Sequence, residues 1–171
     1  GACGDHVEVM ADLDVVPQGI GSDLMASGEG FTRQYVYAFA RRSQRRAAVA
    51  QQNGYFKPIV PVRAADGGVL LYCDEHARPD ATLEGLGALK PAFVNLGTMG
   101  FDAVALRKYP QLTEINHVHT AGNSSGIVDG AALVLVGSKE KGAALGLRPR
   151  ARGVSAPLLG DEPPSILPAP D

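Results

Sequence analysis

The chain has no apolar run long enough to cross a bilayer, almost no net charge and only two cysteines, and each shortage removes a class of function. Its longest apolar run, Ala131 to Val136 between glycines, falls far short of the roughly 20 residues of a spanning helix, so no membrane span is expected. Sixteen Lys and Arg stand against eighteen Asp and Glu, a net charge of −2. The molecule as a whole has no electrostatic reason to bind nucleic acid or acidic lipid, and any basic site must be local. Cys3 and Cys73 are too few for a disulfide framework and suit a reducing, cytoplasmic compartment. Gly1 to Met10 holds neither the apolar core of a signal peptide nor the Arg-rich pattern of a transit peptide, so no targeting signal is expected. Pro157, Pro163, Pro164, Pro168 and Pro170 crowd the end of the chain, which predicts either a disordered tail or a chain cut from a longer one.

What is present is the make-up of one globular domain or part of a larger one: 171 residues, 45% hydrophobic and 20% charged. A chain of this length can bury roughly 70% of the surface exposed when unfolded, so it needs neither metal nor disulfide as a staple. No internal repeat of roughly 20 to 50 residues is visible, which excludes solenoids.

The clearest local pattern runs from Thr32, a good N-cap, to Asn53-Gly54, a good C-terminal stop, and predicts one long helix. Val36, Phe39, Ala40, Ser43, Ala47 and Ala50 recur at three and four and are expected to pack, while Arg33, Arg41, Arg42, Arg45 and Arg46 lie mostly on the wet side. Ile59 to Val62 and Val69 to Cys73 flank a Gly67-Gly68 turn and predict a hairpin. Thr82 to Leu89 reads as a short helix stopped by Pro91, and Val94 to Leu112 as loop. Beyond Ile115 the texture becomes α/β. Strands are expected at Ile115 to His119, Ala132 to Val136 and Ala151 to Leu159, and helices at Ser125 to Ala131 and from Ser138 to Gly146.

Several motifs carry chemistry. Gly122-Asn123-Ser124-Ser125-Gly126 fits a nucleophile elbow, but in that fold the triad His follows the Ser, and His6, His76, His117 and His119 all precede it. His117 and His119 would face one side of a strand and could share a metal, yet no spacing motif supplies further ligands, so a structural role is favoured and no metal site is assigned. Asp74-Glu75-His76 reads as a loop. Gly19-Ile20-Gly21 and Gly28-Glu29-Gly30 lack the rest of a dinucleotide fingerprint, and no P-loop is present. The Arg41-Arg42-Ser43-Gln44-Arg45-Arg46 run could hold phosphates, since guanidinium forks suit them. No aromatic interleaving follows it, so no nucleic-acid partner is expected.

Longer strings are more specific. The segment Thr120-Ala121-Gly122-Asn123-Ser124-Ser125-Gly126-Ile127-Val128-Asp129-Gly130-Ala131-Ala132 closely resembles the T-A-G-N-x-S-G-x-x-D-G-A-A signature of the thiolases. Further stretches resemble thiolases in the same order: Val16-Pro17-Gln18-Gly19-Ile20, Tyr37 to Ala40 with Ser43-Gln44, Asp74-Glu75-His76 with Arg78-Pro79-Asp80 and Thr82-Leu83, and Leu89-Lys90-Pro91-Ala92-Phe93. The connection holding Met99 to Leu106 and Ile115 to His119 looks like that of a degradative, β-oxidation-type branch.

The resemblance implies an α/β, thiolase-like fold, here partial. Residues 1–119 would form the loop domain, 120–149 the closing helix, strand and helix of the N-terminal half, and 150–171 the start of the C-terminal half. It implies an acyltransferase that cleaves 3-ketoacyl-CoA with CoA or condenses two acyl-CoAs, working as a homo-oligomer, with coenzyme A as substrate and no cofactor. The nucleophilic-cysteine motif of the family would lie upstream of this stretch, and N-E-A-F, G-H-P and C-x-G-G downstream, so no catalytic residue is carried over and Cys3 and Cys73 match none. Part of the CoA site is: the Ser125 hydroxyl and Ala121 carbonyl toward the pantetheine arm, and Arg78 against adenine. A helix N-cap is the alternative role for Ser125, and a loop salt bridge for Arg78. Pro17 stands where many thiolases place a His, and Gly160 to Pro170 lacks the usual G-x-G-P spacing. Two other readings stay open, a shortened acyl-CoA-binding relative without catalysis and an unrelated interaction module built on the Arg helix.

Overall fold

A computed structural model describes residues 14–158. These fall into two compact units that divide between Gly126 and Ile127. Their regular structure is mainly helical, with one short hairpin.

Helix α1, Gln18–Gly28, belongs to the first unit, although Gly19-Ile20-Gly21 and Gly28-Glu29-Gly30 do not predict a helix. Glycine lowers helix propensity, but Gly19 is there for contact: a Cβ on it would fall 2.4 Å from the Phe93 ring. Val16, Ile20 and Leu24 repeat every fourth residue and form one buried stripe. They close on Ala105 and Ile115, with Phe93, Leu96, Phe101 and Val104 packed around them. Burying each large aliphatic side chain in this cluster stabilises by about 1.5–3 kcal/mol.

Helix α2, Arg33–Gln52, forms as expected: Thr32 Oγ1 accepts the Tyr35 N–H at 3.2 Å, and Asn53 and Gly54 close the other end, Gly54 with φ 65°. Its packing face needs correction. Tyr37 and Ala40 are the buried residues, against Leu86 and Val36, whereas Phe39 is 58% exposed and Ser43 is also exposed. The polar tethers explain the rotation. Gln44 Oε1 accepts the Arg78 N–H at 2.7 Å and Gln51 donates to the Asp74 carbonyl at 3.1 Å, so two glutamines turn toward the 74–78 loop and carry Phe39 outward.

The hairpin is present and shorter than expected. Strands β1, Val62–Arg63, and β2, Val69–Leu71, pair antiparallel, Val62 opposite Leu71. Helix α3, Leu83–Gly87, is capped by Thr82 Oγ1, which accepts the Gly85 N–H, and it buries Leu86.

The loop expected at 94–112 is instead helical over most of its length. Helix α4, Val94–Leu96, runs through a π-helical turn, Gly97–Phe101, where Gly100 takes φ 110°, into α5, Asp102–Lys108. Gly97 and Gly100 hid this helix from a reading by propensity. Tertiary contact outweighs them, since Ala105 lies at the centre of the core cluster. The segment expected as a strand at 115–119 pairs with no strand among the described residues. Its amides go to side chains of α1 instead: Asn116 N–H to Ser27 Oγ at 2.8 Å, and Val118 and His119 N–H to Asp23. A single antiparallel bridge follows, Thr120 with Pro91.

In the second unit Ser138 caps helix α6, Lys139–Ala144, by accepting the Lys141 N–H, as expected. Three other expectations fail. Residues 125–131 form no helix, and 132–136 and 151–158 form no strand. Leu133, Val134, Leu135 and Val136 are exposed, because a buried-type strand needs neighbouring strands for its amides. Leu159 and the stretch Gly160 to Pro170 lie outside the described residues.

Candidate functional site

The Thr120–Gly126 loop is shaped by its own side chains. Asn123 Oδ1 accepts the Thr120 N–H at 2.6 Å, the Asn123 N–H returns to the Thr120 carbonyl at 3.2 Å, and Thr120 Oγ1 accepts the Gly122 N–H at 3.2 Å. Thr120 is fully buried. Two glycines allow close packing that any side chain would prevent. A Cβ at Gly122 would fall 2.5 Å from Leu86 and 2.7 Å from Leu89, and one at Gly126 would fall 2.5 Å from the His76 ring. The loop is a turn rather than a strand-to-helix elbow.

The three residues proposed for CoA lie on two loops that touch. Ala121 and Ser125 are exposed on the Thr120–Gly126 loop, and the Ser125 hydroxyl donates only a long 3.4 Å bond to the Gly126 carbonyl. Arg78 is exposed on the 74–78 loop. Its backbone N–H is held by Gln44, and its guanidinium folds back to donate to the Glu75 carbonyl at 2.6 Å. Packing of His76 against Gly126 joins the two loops. Asp74-Glu75-His76 is a loop, as expected, turned by the Asp74 carboxylate accepting the His76 N–H at 2.7 Å. Cys73 is a free, half-buried thiol, and Cys3 and His6 lie outside the described residues. A groove of about 540 Å³ runs between α1, α2 and the Thr120–Gly126 loop, with Tyr35, Phe39, His119 and Ser124 on its walls.

The feature that sequence reading missed is Asp23. His117 and His119 do turn to one side, as their alternation predicts, and what they meet there is this fully buried carboxylate. Oδ1 accepts three bonds: the Val118 N–H at 3.0 Å, the His119 N–H at 3.1 Å and His119 Nδ1 at 2.7 Å. Oδ2 meets His117 Nδ1 at 2.7 Å. The second ring nitrogen of His117 meets Asp102 Oδ2 at 3.0 Å. Burial pushes the Asp23 pKa up, but the hydrogen bonds from His119 and His117 outweigh it and hold the group below its ordinary value. Burial pulls His117 down, and the hydrogen bonds and charge of Asp23 and Asp102 outweigh that, leaving it above its ordinary value. A lone buried Asp inside an apolar helix pattern was the available signal, and the glycine-rich reading of 19–21 concealed the helix that carries it.

The family described as "Thiolase, N-terminal domain" matches residues 5–105. Among curated relatives, the 3-ketoacyl-CoA thiolase of Cronobacter sakazakii is 38% identical over 149 residues, 85% of this chain and 34% of that protein. The 3-ketoacyl-CoA thiolase of Shigella boydii serotype 4 is likewise 38% identical over 149 residues, with the same coverage of each chain. The 3-ketoacyl-CoA thiolase FadA of Escherichia coli strain K12 is 37% identical, again over 85% of this chain and 34% of that protein. The chain thus spans about a third of the length of the curated relatives it matches.

Proposed function

The chain belongs to the thiolase family, and from that premise we propose that it is the central part of a longer acyl-CoA acyltransferase. That enzyme cleaves 3-ketoacyl-CoA with CoA, or condenses two acyl-CoAs, through a Cys-linked acyl intermediate. The observation that carries the reading is the Thr120–Gly126 loop, whose Ala121 and Ser125 stand exposed beside the loop that bears Arg78. A hydroxyl and a carbonyl on one loop can hold the amides of a pantetheine arm, and a planar guanidinium on the other can stack on a purine. These groups bind the carrier and leave the chemistry to others. In the thiolytic direction a cysteine thiolate takes the acyl group at C3, the C2–C3 bond breaks, and the electron pair left on C2 accepts a proton to give the shortened acyl-CoA's partner, acetyl-CoA. A CoA thiol then takes the acyl group from the cysteine.

In this reading residues 1–119 serve as the loop domain, 120–149 close the N-terminal half and 150–171 begin the C-terminal half. The strands expected at 132–136 and 151–159 would then find their partners in the complete protein. The enzyme acts in fatty-acid β-oxidation in the cytoplasm as a homo-oligomer, with CoA as substrate and no cofactor. Flanking gene sequence with a nucleophilic-cysteine motif upstream and C-x-G-G downstream is expected; its absence would favour an acyl-CoA-binding relative without catalysis. In the complete enzyme Arg78→Ala and Ser125→Ala should raise KM for CoA more than they lower kcat, since both groups act far from the reacting carbon. Unchanged affinity for CoA in both variants would remove the assignment. The 171-residue chain alone should show no thiolysis of acetoacetyl-CoA.

A further inference from the structure

We infer that His117 is a positioning residue for coenzyme A binding: as an imidazolium bridging Asp23 and Asp102 it holds the Thr120–Gly126 loop in its binding-competent place, and the loop loosens when the ring loses its proton. The inference rests on the CoA site proposed above and adds a control to it.

The geometry requires the charged ring. Carboxylates accept hydrogen bonds and donate none, so a ring with Nδ1 at 2.7 Å from Asp23 and Nε2 at 3.0 Å from Asp102 must carry a proton on both nitrogens. A neutral ring would aim one lone pair at a carboxylate oxygen at hydrogen-bond distance. Asp23 in particular cannot absorb that loss easily. Asp23 is fully buried, and the other oxygen of Asp102, Oδ1, is itself buried without a partner among the described residues. Asp102 is also sterically cornered, since a Cβ at Gly97 would fall 2.4 Å from its Oδ2.

Asp23 is the connection from this ring to the CoA loop. Its Oδ1 takes both backbone N–H groups immediately before Thr120, together with the His119 ring. The register of the loop against α1 therefore depends on one carboxylate, and the position of that carboxylate depends on the His117 proton. The titratable groups facing the His117 ring are Asp23 from α1, Asp102 from α5 and, across Asp23, His119 from its own segment. The raised pKa of His117 agrees with this arrangement, and the clamp is lost as pH rises above the ordinary histidine value.

The test is the dissociation constant of S-methyl-CoA, which has no thiol to ionise, for the complete enzyme between about pH 7 and 9.5. Binding should be flat at the lower end and then weaken, approaching about tenfold per pH unit, the limit for one linked proton. Asp102→Asn should abolish the alkaline rise, because a neutral His117 can then donate from Nδ1 to Asp23 and accept from the new amide at Nε2. Simple structural damage would instead weaken binding at every pH. Selective 15N-histidine NMR of the parent enzyme gives a second readout that needs no variant: both ring nitrogens of His117 should be protonated at pH 7, with a deprotonation midpoint matching that of binding. A ring neutral at pH 7, a pH-independent dissociation constant, or an alkaline rise retained in Asp102→Asn overturns the inference. Arg78→Ala and Ser125→Ala separate the two failures. If both bind S-methyl-CoA as tightly as the parent, the CoA site itself is wrong and the inference falls with it; if they bind weakly while the pH dependence is missing, only the role of His117 is wrong.

Discussion

Replacing Asp23 by alanine should be the most destabilising single change in the first unit. The substitution removes the acceptor for the Val118 and His119 N–H groups and for two imidazole rings at once. Val118 is fully buried, so water cannot readily replace the lost partner, and each orphaned donor costs about 1–3 kcal/mol. His117 would also keep only one of its two carboxylates. Breaking a buried charged pair by removing one partner costs about 3–5 kcal/mol, a large share of the roughly 5–15 kcal/mol that holds a domain folded. With a urea slope of about 2 kcal/mol/M, the unfolding midpoint should fall by roughly 2 M. Asp23→Asn keeps an oxygen for the backbone donors and should cost less, about 1–2 kcal/mol. The difference between parent and Asp23→Ala should also depend on pH. The Asp23 pKa is lowered by folding, so its contribution is present above the ordinary value of 3.8 and lost as pH falls through the folded value. The His117 pKa is raised, so its contribution is complete below 6.5 and lost as pH rises through the folded value. The gap should peak between these limits. An Asp23→Ala midpoint within 0.5 M of the parent, or a gap that grows toward alkaline pH, would refute the reasoning; the 0.5 M margin corresponds to about 1 kcal/mol.

Two further outcomes follow from the packing. Ala40→Glu places a carboxylate where α2 meets Leu86 and should cost about 2–4 kcal/mol, whereas Arg46→Glu on the exposed face should stay within about 0.5 kcal/mol in the same denaturation assay; equal losses would show that the face is wrong. Gly97→Ala drives a methyl group against the Asp102 carboxylate, so the His117 ring should titrate at lower pH than in the parent by NMR, and an unchanged titration would mean that Asp102 moves aside freely.

Sequence alone determined what local chemistry controls. The ends of α2 and α6, the cap of α3, the turn between β1 and β2 and the loop at Asp74-Glu75-His76 depend on residues within a few positions of each other, and each was legible. The thiolase signature was legible for a related reason, since it is a contiguous string. Tertiary structure decided the rest. Helices α1 and the 94–108 segment exist because Val16, Ile20 and Leu24 find Ala105 and Ile115 across the chain, a gain that offsets the low propensity of Gly19, Gly97 and Gly100. The rotation of α2 follows from Gln44 and Gln51 bonding a loop that lies more than twenty residues away. Residues 132–136 show the converse: a strand-like composition forms no strand without neighbours to take its amides. The His117–Asp23–Asp102 clamp was out of reach for the same reason. Its members are 94 and 15 residues apart in sequence, and only packing of α1, α5 and the 115–119 segment into one core brings two carboxylates to opposite nitrogens of one ring.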